Sequence, residues 1–221
     1  MALGRSSVVG LDPETGRRRW AVPRAAGPSV PPAIDRSSRG GLAVFTQGTT
    51  PRDAGVGAVS LHSGRRLWTL RLTQPATGGP TVSGDTVFVG TIGGLVYAID
   101  ASSGRVAWRR AVSGEVAGAP AVSEGRVVVV AEDTAGAKAT VQALDQRNGR
   151  PVWSFASSLT SLRASTPTIA GGVVYVGLGD LTVRALRLAT GAVVWTHRVR
   201  SVFSPFVSPQ CLLLSALVLR R

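Results

Sequence analysis

From Gly79 to Arg110 the chain alternates short apolar runs with turn residues, at intervals too short for a helix. Pro80-Thr81-Val82 opens one run, Ser83-Gly84-Asp85 turns, and Thr86-Val87-Phe88-Val89 is rich in β-branched and aromatic residues. After Ile92-Gly93-Gly94, one run from Leu95 to Asp100 and another from Arg105 to Val112 flank the turn Ala101 to Gly104. The pattern predicts four strands, with Asp100 accepting a nearby backbone N–H and Gly104 taking positive φ without a Cβ clash. The same order recurs from Pro120 to Trp153 and from Pro167 to Trp195, and more loosely from Pro32 to Trp68. Nothing has a helical period, which excludes parallel βαβ units.

The runs belong to one repeated unit. All five tryptophans, Trp20, Trp68, Trp108, Trp153 and Trp195, stand four residues after a glycine: Gly16, Gly64, Gly104, Gly149 and Gly191. Their lead-ins align without a gap: G-L-D-P-E-T-G from Gly10, A-V-S-L-H-S-G from Ala58, A-I-D-A-S-S-G from Ala98, A-L-D-Q-R-N-G from Ala143 and A-L-R-L-A-T-G from Ala185. Tryptophan spacings of 48, 40, 45 and 42 residues fall in the range of propellers, solenoids and arrays, and four strands per period matches a propeller blade. The predicted blades cover about 30–72, 79–112, 119–156 and 166–199, with partial blades at 1–24 and 204–209. Val8 to Val22 supplies only the last two strands of a unit, and Pro205-Phe206-Val207-Ser208 begins a first strand. After Pro209 the repeat grammar fails, leaving 210–221 as an atypical apolar tail. The ends belong either to interrupted blades or to two halves of a split blade that closes a ring.

The A-L-D-x-x-T-G-x-x-x-W signature, with an upstream P-x-V-x-x-G-x-V-Y-V-G run, resembles the pyrroloquinoline-quinone-like propeller repeat. Ala98 to Trp108 and Pro167 to Gly177 carry it best, and the resemblance spans roughly residues 8 to 208. WD repeats fit less well, since no Gly-His or Trp-Asp dipeptide occurs. The resemblance implies an all-β propeller of four-stranded, quinoprotein-like blades. Its members include quinoprotein dehydrogenases, the scaffold lipoprotein of outer-membrane protein assembly, and propellers attached outside bacterial membranes to kinases and other sensors. Complete members have seven or eight blades, so a partial member is expected. It also implies that the repeated tryptophan stacks between neighbouring blades. Recurrence argues the same way, because a cofactor needs one site and not a ring of them.

Charge then singles out one set of turns. The formal net charge is +13, with 24 arginines against the single Lys138, a balance that attracts polyanions in a salt-sensitive way. Arg17, Arg65, Arg105 and Arg150 each follow the turn glycine directly and form a candidate basic rim, joined on the same side by Arg36, Arg39 and Arg126. The basic pairs are scattered and not interleaved with aromatics, so specific nucleic-acid binding is not expected. The opposite loops, Gly48 to Val56 and Glu132 to Thr140, vary in length and carry Asp53, Glu132 and Asp133, with Asp180 on the same side. Variable loops of that kind are the expected binding face.

Chemistry is thinly supplied. Quinoprotein dehydrogenases, by resemblance, pair the quinone with calcium held by carboxylate and amide side chains, add a catalytic aspartate, and many hold an adjacent-cysteine disulfide. This chain has only Cys211, and Asn148 as its single asparagine, too few ligands for the cofactor reading. His62 and His197 lie far apart and outside any zinc spacing. Gly93-Gly94 and Gly171-Gly172 join strands with no helix to follow, so they are turns and not phosphate loops. Neither a signal-peptide-like stretch in Met1 to Val9 nor a membrane-spanning run is present. The expected role is a non-catalytic scaffold or binding module with a protein partner, periplasmic or extracellular by resemblance and without a cofactor. The alternatives are a fragment of a quinone-dependent dehydrogenase and a polyanion binder acting through the arginine rim. Blade flanks left uncovered at the ends are expected to promote self-association.

Overall fold

A computed structural model describes residues 2–3, 6–27, 30–36, 41–133, 135, 137–158, 164–199, 205–208 and 211–214. Among these residues every regular element is a strand. The chain divides into two compact units, Met1–Arg109 and Arg110–Arg221.

In the first unit, Ala33–Asp35, Leu42–Gln47, Gly55–Ser60 and Arg66–Arg71 form one antiparallel blade, here the first. Thr81–Ser83, Thr86–Gly90, Leu95–Asp100 and Val106–Ala111 form the second, whose outer strand runs across the unit boundary. Ahead of them, Ser7–Leu11 and Arg18–Pro23 pair as the sequence predicts, but Ala2–Leu3 adds a strand beside Ser7–Leu11, so this amino-terminal sheet has three strands where two are expected.

In the second unit, Thr168–Ala170, Val173–Leu178, Thr182–Arg187 and Val193–Arg198 form the fourth blade. The third departs from the expected four strands. Its inner edge is split into Glu115–Val116 and Ala121–Ser123, both paired with Arg126–Asp133, while Lys138–Asp145 and Pro151–Ser158 complete the sheet. Gly118, at φ +74°, bends the chain between the two inner pieces, and Gly114, at φ +112°, stands just before the first. Beyond the fourth blade, Pro205–Ser208 pairs with Cys211–Leu214. The segment after Pro209 therefore continues as a strand without the turn glycine and valines of the repeat; 215–221 and Arg39 lie outside the described residues.

The core consists of layers between successive sheets. Along Leu42–Gln47, Leu42 and Val44 face the second blade, in a cluster with Trp68, Val87, Val89, Tyr97 and Ile99. Ala43 and Phe45 face the amino-terminal sheet with Val8, Val59 and the partly buried Trp20 and Val22. In the second unit, Val128, Val130, Val141, Val174, Val176 and Leu186 form the corresponding layer between the third and fourth blades. A strand covered on both faces has no solvent side, which is why Leu42 to Phe45 reads as an unbroken apolar run, all buried. Outer strands alternate instead, since one of their faces is open: Pro151–Ser158 alternates half-buried and exposed residues from Val152 to its end.

Candidate functional site

Four of the five repeat turns are closed at their first position by a side chain, that of Asp12, Ser60, Asp100 or Asp145. In the first, Asp12 Oδ1 accepts the N–H groups of Glu14 and Thr15 at 3.0 and 2.9 Å. Asp100 accepts Ser103 N–H at 2.8 Å and the hydroxyls of Ser102 and Ser103 at 2.7 Å each, and Asp145 accepts Arg147 and Asn148 N–H. The residue before the glycine caps the other side: Thr15, Ser63, Ser103, Asn148 and Thr190 each accept the N–H two positions on. The glycines Gly16, Gly64, Gly104, Gly149 and Gly191 lie between φ +68° and +74°, a region costly for a side chain.

These bonds fix the carboxylates as turn groups. Asp12 is held well below the usual carboxylate range by Thr15 N–H and Arg19. Asp100 is lowered to about 2, chiefly by the Ser102 and Ser103 hydroxyls.

The tryptophan follows from the same geometry. Opposite Trp20, Trp68, Trp153 and Trp195 on the neighbouring strand stand Gly10, Ala58, Ala143 and Ala185, the small residue that opens each signature. In each case the register slips just after that pair, leaving Arg19, Leu67, Val152 and Val194 as the extra residues of a β-bulge that re-aims the indole. The ring then lies on the turn glycine of the next sheet. A Cβ added to Gly64 would come within 2.6 Å of Trp20, one on Gly104 within 2.7 Å of Trp68, and one on Gly191 within 2.6 Å of Trp153. The indole N–H donates to the carbonyl three residues before that glycine: Leu61 at 3.1 Å, Ala101 at 2.8 Å and Leu188 at 2.7 Å. Within the units, these three tryptophans are therefore the inter-blade wedges that the repeat implied.

Next to the turn glycines, Arg17, Arg65, Arg105 and Arg150 are all exposed. Their backbones close the turns, since the carbonyl of each accepts the N–H five residues earlier. Among the described residues their guanidinium groups form no hydrogen bond or ion pair. Arg36 is also exposed, whereas Arg126 lies 4.0 Å from Asp145.

On the opposite edge, the acidic residues expected to line variable loops are mostly engaged in local structure. Asp53 accepts Thr49 and Thr50 N–H and the Thr50 hydroxyl at 2.7 Å, which together lower it. Glu132, expected on a loop, lies within a strand at 2% exposure and accepts the Ala164 N–H, because the paired strands run further than the sequence suggests. Burial pushes Asp180 up, but Thr182, Ser157 and Arg184 outweigh it and the net direction is down. Arg184 completes that cluster, 2.8 Å from Asp180 and 5.3 Å from the Phe155 ring centre. Asp133, Arg52 and Ile92 remain exposed at the corresponding ends of their own sheets. Sequence reasoning missed the buried Arg24, whose Nη1 donates to the Thr46 carbonyl at 3.1 Å; nothing in the linear pattern marks it as internal.

The single asparagine and the turn carboxylates, on which a calcium site would draw, are already engaged. Asn148 Oδ1 already accepts Arg150 N–H at 2.9 Å, and the turn carboxylates are tied as described. Among the described residues no group of three His, Cys, Asp or Glu side chains could hold a metal ion.

The family described as outer membrane protein assembly factor BamB matches residues 52–204. The BamB of Yersinia pestis is 30% identical over 161 residues, covering 66% of this chain and 40% of that protein. Those of Bordetella pertussis and Escherichia coli are 33% and 32% identical, covering 66% and 65% of this chain and 37% and 39% of their own length. The chain thus spans about 40% of the length of these curated relatives. Among solved structures, BamB from Moraxella catarrhalis superposes with TM-score 0.65 at 24% identity, over 80% of this chain and 55% of that one. A europium-containing methanol dehydrogenase superposes with TM-score 0.62 at 17% identity, over 87% and 43%. At such identities these two show the fold: all-β, of quinoprotein-type propeller blades.

Proposed function

The chain belongs to the outer membrane protein assembly factor BamB family, and from that premise we propose that it is a non-catalytic scaffold which binds a protein partner in outer-membrane protein assembly. The observation that carries this reading is the family match across residues 52–204. The side-chain chemistry supports it, because the turn carboxylates and the single asparagine serve the repeat itself. Dehydrogenases share the fold at 17–19% identity, which carries no activity across. The proposed setting is the periplasm, and no cofactor enters the proposal. Among the described residues no helix is long and apolar enough to cross a membrane.

The edge formed by the strand 2 to strand 3 loops is the proposed contact surface, with Arg52 and Ile92 as exposed positions on it. A second reading uses the opposite edge: Arg17, Arg65 and Arg105 stand exposed and unpaired among the described residues, and would engage an anionic partner.

One experiment separates them. A photo-cross-linking residue is placed at Arg52 or Ile92, and in parallel at Arg65 or Arg105, in the protein held in a bacterial envelope fraction. Adducts to a component of outer-membrane protein assembly from the loop positions support the first reading. Adducts from the arginine positions alone favour the second. A folded protein that gives no adduct from either edge overturns both.

A further inference from the structure

The single asparagine of the chain, Asn148, is followed by a glycine, in the turn that joins the two outer strands of the third blade. The other four repeats place Thr15, Ser63, Ser103 and Thr190 at that position. All five side chains accept the N–H two residues on, so hydroxyl and carboxamide serve the turn alike. Their chemistry differs, because a carboxamide carbon is open to attack by the next backbone nitrogen and a hydroxyl is not. Glycine as the next residue leaves that nitrogen unshielded by any Cβ.

The turn brings the reacting groups together and also holds them apart from reaction. Asn148 is exposed, and its Oδ1 accepts Arg150 N–H at 2.9 Å, which folds the carboxamide back across the Gly149 peptide and draws electron density from its carbon. Arg147 and Arg150, both exposed, flank it with positive charge that favours loss of the Gly149 amide proton. Against this, Gly149 is buried and its N–H donates to the Asp145 carbonyl at 2.9 Å. Asp145 Oδ1 keeps the turn shut by accepting Arg147 and Asn148 N–H at 3.0 and 3.2 Å, and Asp145 N–H donates to the Arg150 carbonyl at 2.8 Å.

We propose that Asn148 is a site of spontaneous deamidation whose rate is set by opening of this turn. In the open turn the Gly149 nitrogen gives its proton to hydroxide and bonds to Asn148 Cγ. The bond from Cγ to the carboxamide nitrogen breaks, and ammonia leaves with a proton from water, which restores the hydroxide. Water then opens the succinimide at either carbonyl, leaving aspartate or isoaspartate. Aspartate keeps an acceptor for Arg150 N–H. Isoaspartate routes the main chain through Cγ, adds one carbon atom ahead of Gly149 and removes the cap. Gly149 is thereby moved from φ +68°, and its carbonyl from Arg110, whose Nε donates to it at 2.9 Å. Each conversion to isoaspartate thus puts a carboxylate between two arginines and loosens the third blade where Arg110 meets it. This inference does not depend on the assembly role.

The test uses the full chain at mildly alkaline pH and follows residue 148 by peptide mass spectrometry, which reads the gain in mass as amide becomes acid. Urea-unfolded protein should convert at least about tenfold faster than folded protein, since opening the turn breaks several hydrogen bonds at once. Asp145→Ala removes the Oδ1 acceptor and leaves Asn148 and Gly149 in place, so the folded variant should convert faster than the unaltered protein. Asn148→Ser, the residue of two sister turns, should gain no mass there and should hold its melting temperature on ageing, while that of the unaltered protein falls as isoaspartate accumulates. Equal rates in folded and unfolded protein overturn the proposal, as does a folded D145A that converts no faster, or the absence of conversion in both states. Circular dichroism checks that D145A folds. If it does not, the folded and unfolded rates of the unaltered protein decide alone.

Discussion

Trp68 and Trp195 occupy the same place in the same motif, yet one is 8% exposed and the other 37%. The sheets that carry them are alike: each indole follows a bulge, and each faces an alanine, Ala58 or Ala185, on the neighbouring strand. What differs lies beyond the sheet. Trp68 rests on Gly104 and donates to Ala101, while no described residue plays either part for Trp195. The signature therefore encodes half of a joint, and the neighbouring turn decides how much that half contributes to stability.

Truncating the two tryptophans should break this comparison open most widely. Trp68→Ala removes a buried indole and its hydrogen bond, and should cost about 3–5 kcal/mol in urea unfolding of the dilute protein. Trp195→Ala should cost less than about 1 kcal/mol under the same conditions, as surface changes do. Equal losses would mean that Trp195 is covered after all.

The socket side gives a smaller contrast. Alanine at Gly16 or Gly104 meets the same left-handed backbone, at about 1–2 kcal/mol each. Only at Gly104 must a ring also move, adding about 1–3 kcal/mol of overpacking. Matched thermal unfolding of G16A and G104A should therefore separate them, with G104A the less stable.

Acid provides the finest contrast, between the Asp100 turn and the Arg187 turn of the fourth blade, which a backbone carbonyl closes instead. The Asp100 pKa falls from 3.8 to about 2 on folding, so its contribution is present above the unfolded value and lost as pH drops from about 4 to about 2. Asp100→Asn should flatten the pH dependence of stability in that window. Arg187→Gln should leave it unchanged. Stability curves of D100N and unaltered protein that run parallel from pH 4 to pH 2 would contradict the role of this cap.

Much of the joint was legible because each part is local. Asp100, Ser103, Gly104 and Trp108 announce a capped turn and an aromatic strand through spacing alone. The bulge was not legible, since it depends on the register between two strands, and Leu67 or Val152 looks like any other strand residue. Glu132 shows the same limit on the opposite edge: an acidic residue beside a small-residue segment reads as loop, but strand pairing carried it inside and gave it the Ala164 N–H. The extra strand Ala2–Leu3 and the pairing of Cys211–Leu214 escaped because neither carries the turn glycine or β-branched run that marks the other strands.

By itself the sequence determined the strand order within each repeat, the capped turns and the identity of the residue that projects from each outer strand. These depend on backbone conformation and hydrogen bonds a few residues apart. Tertiary structure alone decided which indoles are buried, which carbonyl each one meets and which carboxylates remain in water. Those outcomes depend on surfaces supplied by another sheet, and the linear repeat is the same whether or not that sheet is there.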